Sequence, residues 1–162
     1  DDVVLPEYKC DGDSGMDVRA YFAMDFLAKL DHERMMYPCQ CPVDVVNMSE
    51  RFVNLMAGRR MLIPTGIKTA ISDGYEIQVR PRSGLALKNG ITVLNTPGTI
   101  DSGYRKGYGI ILMNMGSEPF CITHGDRVAQ LVLMAVPKIK WEVVQTVDAS
   151  DREGGFGHTG VT

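Results

Sequence analysis

Glycine and proline cut this chain into short apolar runs, and that punctuation constrains its fold more than any other feature. There are 17 Gly and 8 Pro in 162 residues. Turn signals fall at Asp73-Gly74, Asn89-Gly90, Pro97-Gly98, His124-Gly125 and Pro137. Between them Tyr75, Ile77 and Val79 alternate with Glu76, Gln78 and Arg80, the period of a strand with one buried face. Met61 to Ile71 carries Ile63, Ile67 and Ile71 around a Pro64-Thr65-Gly66 interruption. The near-continuous apolar runs Ile110 to Met115 and Val128 to Val136 predict strands buried on both faces, and Trp141 to Val147 predicts a further strand. Many short strands with regular turns predict an all-β sandwich, barrel or jelly roll.

Two regions break the rhythm. Residues 22–50 place Phe22, Phe26, Leu27 and Leu30 at helical spacing, before Pro38 and Pro42 flank Cys39 and Cys41. This reads as a small helical insertion in a β domain spanning residues 1–150. Residues 151–162 carry Gly154, Gly155, Gly157 and Gly160 and read as a flexible arm that orders on a ligand.

Composition narrows the class. Lys+Arg 17 against Asp+Glu 20 gives a net charge of −3, which argues against nucleic-acid binding through bulk positive charge. No apolar run approaches the ~20 residues of a membrane span, so no membrane partner is expected. The four cysteines and the lack of a signal-peptide pattern predict a reduced, cytoplasmic setting. An organelle or nucleus is the alternative if residues precede Asp1.

Five segments could carry chemistry. In Asn95 to Arg105, Pro97-Gly98 bends the chain and leaves backbone groups free, and Asn95 can both donate to and accept from an amide-like edge such as that of uracil. Asp101 could orient and deprotonate a water, and Tyr104 offers a flat face to a sugar or base. A hairpin whose Asn and Asp only satisfy turn backbone accounts for the same residues. In Arg80 to Gly90, Arg82 supplies a guanidinium fork for phosphate oxygens, beside Ser83-Gly84; a solvated arginine pair is the plainer reading. In the arm, Arg152, His158 and Thr159 can donate to phosphate, with Phe156 as a stacking lid; a disordered tail is the alternative. Gln130 sits inside an apolar run and needs a polar partner. Asp17 could bind Mg2+ through water or simply cap a turn. The H-x-E with P-C-x-x-C signature of zinc nucleobase deaminases and the P-loop pattern are both missing from the sequence.

Taken in order, SGMDVRA, PRSGLALKNGI, NTPGTIDSGYR, GDRVAQL and REGGFGHTG resemble the five motifs of the homotrimeric dUTPases. The resemblance implies a jelly-roll subunit in a homotrimer with three sites between subunits, cleaving dUTP to dUMP and pyrophosphate with Mg2+. It implies that Asp101 activates the attacking water at the α-phosphorus. Asn95, with the backbone of Gly98, Thr99, Ile100 and Asp101, would read uracil. Tyr104 would lie under the deoxyribose and leave no room for a 2′-hydroxyl, and Gly109 would approach the base. Arg82, Ser83, Gly84 and Gln130 match phosphate contacts, and Asp17 matches an acid near the metal waters. Arg152, Phe156, Gly157, His158 and Thr159 match the closing arm. The chain departs from the family in two places. Arg152 is followed by Glu153 rather than Gly, and after Tyr104 it reads Arg105-Lys106-Gly107-Tyr108 instead of Arg-Gly-Glu. The 22–50 insertion would pack outside the trimer, form an extra interface or bind an unknown partner. Competing readings are a dCTP deaminase on the same fold and a nucleotide-binding regulatory protein.

Overall fold

A computed structural model describes residues 2–28, the backbone of 43–47, and residues 49–148. Ten strands form three sheets among these residues: β1 (Met16–Arg19), β2 (Val43–Asn47), β3 (Phe52–Leu55), β4 (Arg60–Pro64), β5 (Tyr75–Arg80), β6 (Ile91–Val93), β7 (Gly98–Ile100), β8 (Gly109–Asn114), β9 (Phe120–Thr123) and β10 (Arg127–Ala135). The sheet orders are β1-β10-β5-β7, β2-β3-β9 and β4-β8-β6, and every pairing is antiparallel. Neighbours in each sheet are mostly distant in sequence, as the crossing connections of a jelly roll require.

Alternation decides which face each strand buries. Ile77 and Val79 of β5 turn inward while Glu76, Gln78 and Arg80 stay half-exposed. Val53 and Leu55 of β3, and Met61 and Ile63 of β4, do the same. These side chains meet Val18, Phe22, Leu27, Ile91, Val93, Ile110, Leu112, Ile122 and Leu131 in one core. Asn114 is completely buried there, yet satisfied: its Nδ2 donates to the carbonyls of Leu55 and Glu118 at 2.8 and 2.9 Å, and its Oδ1 accepts from Gly116 N–H at 2.9 Å.

Several expectations change. The run Ile110 to Met115 is not buried on both faces: Ile110, Leu112 and Asn114 face the core, while Ile111 and Met113 are only partly covered. The run Val128 to Val136 is buried at its start and exposed at Leu133, where β10 outruns the core. The segment Trp141 to Val147 forms no strand; Trp141 is 86% exposed and no ladder partner lies beside it among the described residues. Alternating apolar residues permit a strand, but a strand also needs an edge to pair with. Asn89-Gly90 is a helix end rather than a hairpin turn: Gly90 takes the left-handed conformation (φ 68°) after the helix Ser83–Asn89.

Residues 24–28 are helical, and Phe22 and Leu27 are fully buried. The start of the proposed insertion is thus seated in the core, and β2 at its far end pairs with β3. Leu30, Pro38, Cys39, Cys41 and Pro42 lie outside the described residues, as do residues 149–162 with Arg152, Phe156, Gly157, His158 and Thr159.

Candidate active site

The turn at Pro97-Gly98 builds the first half of the site. The Thr96–Pro97 peptide is cis, and Gly98 enters β7, whose register sets Gly98 against Val79, Thr99 against Gln78 and Ile100 against Ile77. A Cβ on Gly98 would lie 3.2 Å from both Asn95 Nδ2 and Val79 Cβ, so the missing side chain lets Asn95 fold over the strand. The result is a cleft of about 170 Å³ lined by Asn95, Gly98, Thr99, Ile100, Tyr104 and Gly109, closed behind by Val79, Val93 and Tyr108. Apolar walls with one amide suit a flat ring carrying a polar edge. Gly109 is bare against Leu62, whose Cδ1 would lie 2.6 Å from an added Cβ.

Asp101 follows β7 directly. Its carboxylate is exposed and opens on a neighbouring hollow shared with Tyr75, Glu76, Ser102 and Lys138. It makes no side-chain hydrogen bond or ion pair among the described residues, while its backbone carbonyl accepts from Tyr104 N–H at 3.0 Å. Tyr104 donates its hydroxyl to Gly107 O at 3.2 Å, which fixes the ring at the rim of the cleft.

The second half lies just past the C-terminal end of β5, on the side where β10 pairs with it. A polar hollow of about 340 Å³ is lined by Asp17, Arg82, Ser83, Gly84 and Gln130, with Glu7, Lys9 and Asp13 also in its wall. Arg82 occupies the N-cap position of the helix Ser83–Asn89 without a side-chain cap bond. Its guanidinium grips Asp17 instead, Nε to Oδ1 at 3.0 Å and Nη2 to Oδ2 at 3.3 Å, and Nη1 reaches Arg127 O at 3.1 Å. Arg127 Nη1 adds a second cation to Asp17 Oδ2 at 3.1 Å. Gln130 is opposite Asp17 in β1 and opposite Arg80 in β5. Its side-chain amide has no hydrogen-bond partner among the described residues and faces the hollow, against Gly15.

The structure therefore brings together Asn95, Gly98, Thr99, Ile100, Tyr104 and Gly109 in one place and Asp17, Arg82, Ser83, Gly84 and Gln130 in another. The two hollows share no lining residue within one chain. Sequence reasoning noted Tyr108 only as a departure from the family pattern; the structure buries it in the core, where it lines the cleft from behind.

A mainly β chain with a ring-sized cleft, an exposed carboxylate next to it, and a separate polar hollow that carries an arginine has the parts of a nucleotide hydrolase. A dUTPase family model matches residues 44–160. The chain is 46% identical over 158 residues to the deoxyuridine 5'-triphosphate nucleotidohydrolase of Desulfotalea psychrophila, covering 97% of this chain and 87% of the relative. It is 51% identical over 126 residues to that of Syntrophotalea carbinolica, covering 77% and 86%. Among solved structures, a mutant dUTPase of Staphylococcus bacteriophage 80alpha with dUpNHpp superposes with a TM-score of 0.74 at 21% identity, covering 98% of this chain and 93% of that one. The dUTPase of Streptococcus mutans superposes with a TM-score of 0.63 at 20% identity, covering 87% and 92%. The chain belongs to the dUTPase family, and its activity is that of a dUTP diphosphatase.

Proposed function

We propose that the chain hydrolyses dUTP to dUMP and pyrophosphate by delivering an Asp101-activated water to the α-phosphorus. The observation that carries this reading is that Asn95 and Asp101 bracket the three-residue strand β7. Such a strand spans roughly 10 Å, so a base held at Asn95 leaves its sugar over Tyr104 and its α-phosphate towards Asp101. A carboxylate free of ion pairs can accept a proton from water while orienting it for in-line attack.

Uracil differs from thymine by a methyl and from cytosine by its donor–acceptor pattern. Asn95 offers one donor and one acceptor side by side, and the backbone of β7 and Asp101 supplies the rest. Rejecting a methyl needs walls that do not give way. Val79, Val93 and Ile110 behind the cleft are buried, which supports such walls.

The triphosphate fits the second hollow, where Arg82, Ser83, Gly84 and Gln130 present donors. Those donors lie apart from the cleft in one chain. A homotrimer that sets one subunit's cleft against another's hollow joins them, with the arm carrying Arg152, Phe156, Gly157, His158 and Thr159 closing over. The exposed Ile139, Trp141, Val143 and Val147 support such an assembly, because a lone chain would leave them in water.

Mg2+ fits the donor set. Among the described residues Asp17 Oδ1 carries a single guanidinium contact, which leaves a lone pair for a metal-bound water. Mg2+ held by the phosphates and, through water, by Asp17 would neutralise phosphate charge. The Asp17–Arg82–Arg127 cluster positions those donors.

Asp101→Asn tests the mechanism. The variant is expected to bind a non-hydrolysable dUTP analogue as wild type does and to lose turnover by about a thousandfold or more. Turnover near wild type would remove Asp101 from the chemistry.

A further inference from the structure

We infer that Tyr108 is a positioning residue for sugar discrimination, bracing Tyr104 against the 65–69 segment. The inference rests on the reading of Tyr104 as the wedge under the deoxyribose. Tyr104 itself is 39% exposed, and a ring so placed cannot exclude a hydroxyl unless something stops it swinging away. Among the described residues its side chain makes one hydrogen bond, to the carbonyl of Gly107. A glycine carbonyl in a loop is a weak anchor unless the backbone beside it is fixed.

Tyr108 fixes it. Only 3% of Tyr108 is exposed, although it ends a surface loop. Its N–H donates to Ile67 O at 2.9 Å, and its carbonyl accepts from both Thr65 N–H at 3.1 Å and Thr65 Oγ1 at 3.0 Å. Thr65 is itself buried, and its Oγ1 also accepts from Ile67 N–H at 3.3 Å. The phenol hydroxyl of Tyr108 hydrogen-bonds Thr69 Oγ1. The Tyr108 ring lies 6.3 Å from that of Tyr104 at an interplanar angle of 36°. A chain of contacts therefore runs from Thr69 through Tyr108 and Gly107 to Tyr104. Tyr108 lines the cleft from behind and also an apolar groove on the far side with Tyr21, Phe26, Leu62 and Pro64. With Tyr104 and Gly109 it stands between the two, in the stretch where the chain departs from the family's Arg-Gly-Glu.

The test compares dUTP with UTP. Tyr108→Phe keeps the ring and removes its bond to Thr69; Thr69→Val removes the same bond from the other side, should the first variant fold poorly. Either should lower the dUTP-to-UTP ratio of kcat/KM about tenfold, chiefly by raising KM for dUTP and admitting UTP. Tyr104→Ala should lower the ratio further, and adding Tyr108→Phe to it should change the ratio no more. A merely structural tyrosine would reduce both substrates equally, and an unchanged ratio in both Tyr108→Phe and Thr69→Val, with Tyr104→Ala still lowering it, overturns the inference. An unchanged ratio in Tyr104→Ala overturns the wedge itself and this inference with it.

Discussion

Arg82 holds Asp17 by a two-pronged ion pair, Nε to Oδ1 at 3.0 Å and Nη2 to Oδ2 at 3.3 Å, tying β1 to the segment that leaves β5. Both side chains keep about a quarter of their surface in water, so the pair is screened. Arg127 crowds the same carboxylate. Asp17→Asn would leave two guanidiniums facing a neutral amide. Urea unfolding is expected to lose about 1 kcal/mol, with phosphate-side affinity falling as the arginines separate. Unchanged stability and unchanged KM together would mean the pair holds nothing in place.

Gly98→Ala probes the cleft by pressing on Asn95 while keeping its amide in the sequence. The added methyl meets Asn95 Nδ2 and Val79 Cβ at 3.2 Å, closer than either can ignore. KM for dUTP should rise about tenfold, with a modest fall in the thermal midpoint as the methyl presses on buried Val79. An unaltered KM would show that Asn95 is not needed where it lies.

The strand rhythm around Ile77 and Val79, the turn at His124-Gly125 and the bend at Pro97-Gly98 before Asp101 were all legible in the sequence, because each follows from local backbone preference; that β7 then pairs with β5 rather than closing a hairpin was not. The helix Ser83–Asn89 was not. Seven residues are too few to show a period, and none of them is buried. The segment Trp141 to Val147 misled for the opposite reason: its composition suits a strand, but pairing is decided by what lies alongside. Phe22 and Leu27 were assigned to an insertion, yet they fill the core, since apolar spacing cannot say which core a side chain joins. The separation of the site into two hollows is a matter of topology, beyond the reach of motifs met in order.

The N-terminus makes a pH-dependent contact. Asp2 pairs with Arg51, and its carboxylate lies 3.1 Å from His124 Nε2. His124 Nδ1 accepts from Phe22 N–H at 3.0 Å, which leaves Nε2 to donate to Asp2. The Arg51 guanidinium holds the Asp2 carboxyl below its ordinary value of 3.8. A carboxyl lowered in the folded state stabilises fully above its unfolded pKa and loses that contribution as pH falls through the folded one. The thermal midpoints of wild type and Asp2→Asn should therefore differ at pH 5 and converge below 3.8. Equal midpoints at pH 5 would deny the contact any role.

Truncation before Arg152 should leave the assembly intact by light scattering and reduce turnover by about a hundredfold, since a closing arm excludes water and positions phosphate. Full activity without the arm would rule out the lid.

Pyrophosphate release measured across dUTP, UTP and the four standard deoxynucleoside triphosphates, with and without Mg2+, tests the central claim most directly. The account predicts rapid release from dUTP with Mg2+ and little from any other nucleotide. Ammonia released from dCTP, or comparable hydrolysis of dTTP, would contradict it.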